Sequence, residues 1–142
     1  MSGGIIVINA DVKIEDFQEI INLFVEDSGD EVASYIHMNR LFIDSAYSEL
    51  MLRFNTTTKK LVIARIGFKN TRKGYGTRLL GYLKEYAARN DYEAIVIESV
   101  QTEEAYSFAI KNGFEKVPNP ALNGINLDFF FGDLILNLNT EK

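Results

Sequence analysis

At 142 residues and 16.1 kDa, the chain has the length of one domain, spanning 1–142, with room for a real hydrophobic core. Its composition (46% hydrophobic, 25% charged, 12% aromatic) argues against disorder, and its net charge of −5 argues against nucleic-acid or anionic-membrane partners. No cysteine and a single histidine, His37, exclude disulfide scaffolds, Cys-based metal centres, cysteine nucleophiles and any site of two histidines, so no metal is expected.

In chain order, Ile5 to Ala10 reads as a buried strand, short, apolar and preceded by Gly-Gly. Asp11 suits the cap of a helix over Val12 to Glu26, in which Ile14, Phe17, Ile20, Ile21, Phe24 and Val25 recur at helical spacing. The Asp-Ser-Gly-Asp cluster ends it. Residues 32–47 fit either a helix, through Val32, Tyr35 and Ile36, or a strand from Tyr35 to Phe42. Leu50 to Phe54 and Leu61 to Phe68 predict two antiparallel strands joined by a short turn, the second long and mostly buried.

A basic, glycine-containing loop follows, Lys69 to Thr77, and then an amphipathic helix with Leu79, Leu80, Leu83, Tyr86 and Ala87 on its apolar face. Arg78, Lys84 and Arg89 fall on the polar face and are expected to be solvated. Ala94 to Val100 is another buried strand. Thr102 should cap a helix whose Glu103 and Glu104 suit the dipole and which ends at Asn112-Gly113. Ile125 to Leu138 reads as a closing strand, continuous or broken at Gly132-Asp133. Phe129-Phe130-Phe131 suits sheet and core packing, with an exposed edge for a homodimer as the alternative. The strand-loop-helix-strand core from Leu61 to Ile97 is long enough for a right-handed parallel crossover. The N-terminus has no basic n-region followed by a long apolar stretch, and no apolar run nears the ~18–20 residues that span a bilayer. A cytoplasmic protein is therefore expected.

Charge is unevenly spread. Residues 1–52 carry 2 basic and 10 acidic side chains, residues 53–89 carry 10 and 1, and residues 90–142 carry 3 and 9. The basic island contains the loop Arg72-Lys73-Gly74-Tyr75-Gly76-Thr77. A glycine loop opening a helix is an anion site, because converging backbone N–H groups and the helix dipole attract negative charge. The Walker pattern is absent, and the dinucleotide fingerprint fails because Leu79 stands at its third glycine.

The loop resembles the acyl-CoA-binding motif of the GNAT superfamily of CoA-dependent N-acetyltransferases, Gln/Arg-x-x-Gly-x-Gly/Ala. The stretch Phe108-Ala109-Ile110-Lys111-Asn112-Gly113-Phe114 is similar to that family's helix-end motif, and together they cover residues 60–117, about 40% of the chain. The resemblance implies an α/β (α+β) fold. In it, a mixed, mostly antiparallel twisted sheet surrounds a central parallel β-α-β crossover, with helices on both faces. It also implies acetyl-CoA as acyl donor. Backbone from Arg72 through Lys73, Gly74, Tyr75, Gly76 and Thr77 would hold the pyrophosphate. Backbone of Ile66, Gly67 and Phe68 would pair with the pantetheine arm where the flanking strands splay. Arg72, Lys73 and Lys111 would add charge.

The chain departs from the family at Thr71, where Gln or Arg is usual, and at Thr102, where an Asn often bonds the pantetheine. Ala109 replaces the Tyr that protonates the departing thiolate in many members. Tyr106, one turn earlier, is the stand-in. The usual carboxylate before the loop is replaced by Lys59-Lys60-Leu61, so Glu98 is the first candidate base, ahead of Glu49 and His37. The expected activity is direct acetyl transfer to a primary amine of a small molecule or protein, with or without an essential acid or base. The acidic flanks favour a cationic amine. The alternative is a CoA-binding or protein-interaction module that has lost the chemistry.

Overall fold

The computed structural model describes residues 12–71, 73–100, 102–117 and 132–138. The strand expected at Ile5 to Ala10, the cap at Asp11, Arg72 and the run Phe129 to Phe131 lie outside these residues.

The first helical pattern forms a 3-10 turn, Ile14–Phe17, that runs into helix α1, Gln18–Ser28, closed by Gly29 at φ 76°. The ambiguous stretch is a hairpin, β1 (Ala33–His37) and β2 (Arg40–Asp44), reversed through Met38 at φ 58°. Its sidedness explains the choice. Leu41 and Ile43 alternate into the core, while Tyr35 stacks on Phe42 on the other face at 4.8 Å. Strands β3 (Glu49–Asn55) and β4 (Lys60–Gly67) pair antiparallel as predicted. Helix α2 is Tyr75–Arg89, strand β5 Ala94–Val100 and helix α3 Glu103–Lys111. Strands β6 (Glu115–Lys116) and β7 (Gly132–Asn137) complete a sheet of order β1-β2-β3-β4-β5-β7-β6.

Only β4 and β5 are parallel among the described pairs. The sheet is thus mixed and mostly antiparallel around a central β-α-β crossover, as expected. Strands β5 and β6 both run antiparallel to β7 and so run parallel to each other. The steps β4 to β5 and β5 to β6 move the same way across the sheet, and right-handed crossovers then put α2 and α3 on one face. That face carries Leu52, Phe54, Leu61, Ile63, Ile95 and Ile97, and Phe17 from the turn before α1 packs on Phe54 and Tyr86 there. A second helical layer is not formed by the described residues. The opposite face carries Arg53, Val62, Val96 and Glu98.

Thr102 caps α3 as predicted, its Oγ accepting from the Ala105 N–H at 3.1 Å. The chain then leaves α3 through Gly113 at φ 95°, where an added Cβ would also meet Leu136 Cδ1 at 3.4 Å. Gly113→Ala should cost about 1–2 kcal/mol through the positive φ and this contact, read as a lower Tm. No described helix is long and apolar enough to cross a membrane.

Candidate functional site

The site begins where β4 and β5 part. Their pairing runs from Lys60↔Ala94 to Ile63↔Ile97 and stops. Just beyond, the β3–β4 register slips by one, with Leu52 opposite Ile63 and Met51 opposite Arg65, so Ala64 is an extra residue. The β5–β7 register also slips between Ile97 and Val100, with Ser99 at φ 56° and its N–H donating to Asp133 Oδ1 at 3.0 Å. Bulges bend a strand and raise its local twist. Two of them at this point turn β4 and β5 away from each other, and among the described residues the β4 edge facing β5 has no strand partner past Ile63.

A cleft of about 520 Å³ occupies the opening, within the size range of small-molecule sites. Ile66, Gly67 and Phe68 at the end of β4 form one wall, followed by Asn70 and Thr71. Gly74, Tyr75, Gly76 and Thr77 at the start of α2 form the head. Thr102, Glu104, Phe108 and Lys111 face them from α3. The structure therefore brings together the sequence-predicted residues from Ile66 to Lys111, with Lys73 exposed in the same loop and Arg72 outside the described residues. Thr102 accepts the cap hydrogen bond of α3 and also lines the cleft.

At the head, Gly74 is the N-cap at φ 80°, supplies no side-chain cap, and α2 has no acidic residue in its first turn. The amides of Tyr75, Gly76 and Thr77 precede the first intrahelical bond, from Arg78 N–H to Gly74 O at 3.0 Å. They are donors without an intrahelical acceptor at the positive end of the helix dipole. Gly76 has a second reason to be glycine, since an added Cβ would stand 3.1 Å from the Phe108 ring. The close approach of α2 to α3 depends on it.

Helix α1 holds the loop at both ends. The buried Asp27 carboxylate accepts the N–H of Lys69 at 2.7 Å and of Asn70 at 2.8 Å, and Asn70 Nδ2 donates to Asp27 O at 2.8 Å. Glu26 takes both guanidinium nitrogens of Arg78, at 3.1 and 3.3 Å, and accepts from the Tyr75 hydroxyl at 3.4 Å. Arg78 is thus an inter-helix tie rather than a merely solvated charge, and that pairing holds its pKa above the ordinary arginine value. The Tyr75 ring stacks on Phe68, which stacks on Phe24. Desolvation first, then the charges of Glu26 and Asp27, raise the Tyr75 pKa, keeping the phenol neutral.

The two predicted catalytic side chains do not line the cleft. Glu98, one residue past the last shared pair, lies on the opposite face, where both its oxygens meet Arg53 of β3 across β4. This pairing is the first cause of Arg53's raised pKa. Tyr106 lies half-buried with Lys116 5.5 Å from its ring centroid. Ala109, the position where the motif resemblance has a tyrosine, is fully buried. Glu49 stands beside Gly67, its Cγ 3.9 Å from where a Cβ there would be, and His37 is exposed on the β1–β2 hairpin.

No family model and no curated protein matches the chain. Among solved structures it is similar to PaiA N-acetyltransferase from Thermoplasma acidophilum in complex with coenzyme A. The TM-score is 0.50 at 16% identity, over 85% of this chain and 70% of that one. It is similar to Tetrahymena GCN5, with a TM-score of 0.51 at 13% identity over 87% of each chain. Aminoglycoside 6'-acetyltransferase type Ii gives 0.50 at 16% identity, over 70% and 69%. At these identities the likeness is one of fold, and the fold is that of the GNAT N-acetyltransferases.

Proposed function

We propose that the chain is an acyl-CoA-dependent N-acetyltransferase that moves an acetyl group from acetyl-CoA to a primary amine by direct transfer. The observation that carries this is the cleft itself. An uncapped helix N-terminus stands at one end and an unpartnered strand edge leads from it to the point where β4 and β5 close. Such a site suits a ligand with a polyphosphate head and an amide-bearing arm.

In this reading the amides of Tyr75 to Thr77 bind the diphosphate, with Lys73 and Lys111 adding charge. The free edge at Ile66 to Phe68 pairs with the arm, and a backbone N–H there polarises the thioester carbonyl. A neutral amine forms the new C–N bond as the C–S bond breaks, and one proton passes from nitrogen to sulfur in balance. Glu98, on the opposite face and held by Arg53, is not placed to take that proton, so in this reading positioning carries the rate rather than base catalysis. Tyr106, held beside Lys116, is given no step.

Ala109 and the engaged Glu98 favour a second reading, a CoA-binding module without the chemistry. Thiol release from acetyl-CoA over a panel of small-molecule and protein amines separates the two. CoA itself tests the site that both share. At a hundred times its Kd it should add about 2.7 kcal/mol, a rise of roughly 8–10 °C in Tm for a chain of this size. No shift at millimolar CoA defeats both readings.

A further inference from the structure

Behind the cleft lies a second, separate space. It is a narrow, partly open apolar pocket of about 40 Å³, bounded by Ile63 of β4, Ile97 of β5, Leu79 and Leu80 of α2, and the Phe108 ring of α3. Its walls are apolar side chains. An empty apolar cavity costs stability in proportion to its volume, and this one adjoins the cleft through Ile66, Gly76, Ala105 and Phe108, which border both spaces. Phe108 is the partition, its ring lying against the α2 backbone at Gly76.

The cavity's place along the site gives it a use. A ligand anchored at the α2 amides and running back along β4 from Phe68 meets Ile63 after five residues, about 16 Å of strand. Ile63 and Ile97 are the last shared pair, so the path ends at the wall of the cavity. We infer that the cavity receives the apolar end of the donor's acyl group, so that the site accepts three- and four-carbon acyl donors besides acetyl and binds them more tightly. This rests on the CoA reading above and goes beyond it. The volume admits one or two carbons beyond acetyl, since about 150 Å³ is needed for a benzene. Walls without a hydrogen-bonding group reject an acyl chain that ends in a carboxylate.

The test is equilibrium binding of CoA, acetyl-CoA, propionyl-CoA, butyryl-CoA and succinyl-CoA to the full chain, with no acceptor needed. A buried methylene tightens binding about four-fold, so propionyl-CoA should bind about four-fold tighter than acetyl-CoA, and succinyl-CoA no tighter than CoA. In Leu80→Phe, which fills the cavity, the propionyl-to-acetyl ratio should fall to about one. In Ile97→Val, which enlarges it by a methyl, butyryl-CoA should become the tightest ligand. If CoA binds and propionyl-CoA binds no better than acetyl-CoA, the cavity assignment is overturned and the CoA site stands. A four-fold ratio that persists in a folded Leu80→Phe also overturns it. If CoA does not bind, both fall together.

Discussion

Thr77→Glu should leave the ligand-free protein slightly more stable while weakening CoA binding about 100-fold. Thr77 is the third helical residue after the Gly74 cap, where a carboxylate meets the positive end of the α2 dipole. That placement typically adds about 0.3–1 kcal/mol to a helix. The same carboxylate would stand at the amides proposed to hold the diphosphate. Two like charges about 4 Å apart cost roughly 4 kcal/mol at an effective dielectric near 20, ample for the loss of affinity. Thr77→Gln, of similar bulk without the charge, should stay within several-fold of wild type. Melting curves with and without CoA read both quantities. A lower melting point with unchanged affinity would place the anion site elsewhere.

Asp27→Ala should be among the most destabilising single changes in the described chain. Asp27 is 1% exposed and accepts two backbone N–H groups from the loop after β4. Hydrogen bonds to a charged acceptor contribute about 1.5–3 kcal/mol each, and removing the acceptor strands the donors. For this part-buried loop a loss of about 2–4 kcal/mol follows, or roughly 7–13 °C in Tm. Asp27→Asn retains one acceptor oxygen and should recover about half of that. Because the loop entry leads into the cleft, CoA affinity in Asp27→Asn should fall further than its stability does. Calorimetric binding beside the melt measures the difference, and equal losses would reduce Asp27 to a fold residue.

Local patterns made one part of this molecule legible. Strand β4, the glycine loop, the apolar stripe of α2, the Thr102 cap and the Gly113 exit each combine a short periodic signal with a residue type that has one strong preference. Those elements also place most of the cleft, because the strand-loop-helix order fixes where a helix N-terminus meets a strand end. What stayed hidden depends on sequence separation. The β1–β2 hairpin was ambiguous because Val32, Tyr35 and Ile36 fit a helical face, and only pairing with β3 settles the side on which Leu41 and Ile43 fall. Asp27 reads as part of a turn cluster, with no local sign that its partners lie 42 and 43 residues away. Glu98 looks like a free strand-end carboxylate until Arg53, 45 residues earlier, is seen to reach it across β4.

The basic island shrinks for the same reason. Arg53, Lys59 and Arg78 are each paired with an acid from a flanking segment, Glu98, Asp91 and Glu26. Three of the island's ten positive charges are thus compensated by acids of the flanking segments, and the cation that lines the cleft among the described residues, Lys111, comes from outside the island.

The two bulges beyond Ile63 and Ile97 have a thermodynamic consequence for recognition. They hold β4 and β5 open by backbone geometry, so no hydrogen-bonded ladder must be unzipped when a ligand enters. The cost of exposing that strand edge is met during folding, and an incoming ligand makes its backbone hydrogen bonds without first breaking any. Association of the proposed ligand would therefore be preorganised, governed by encounter and desolvation rather than by rearrangement of the sheet.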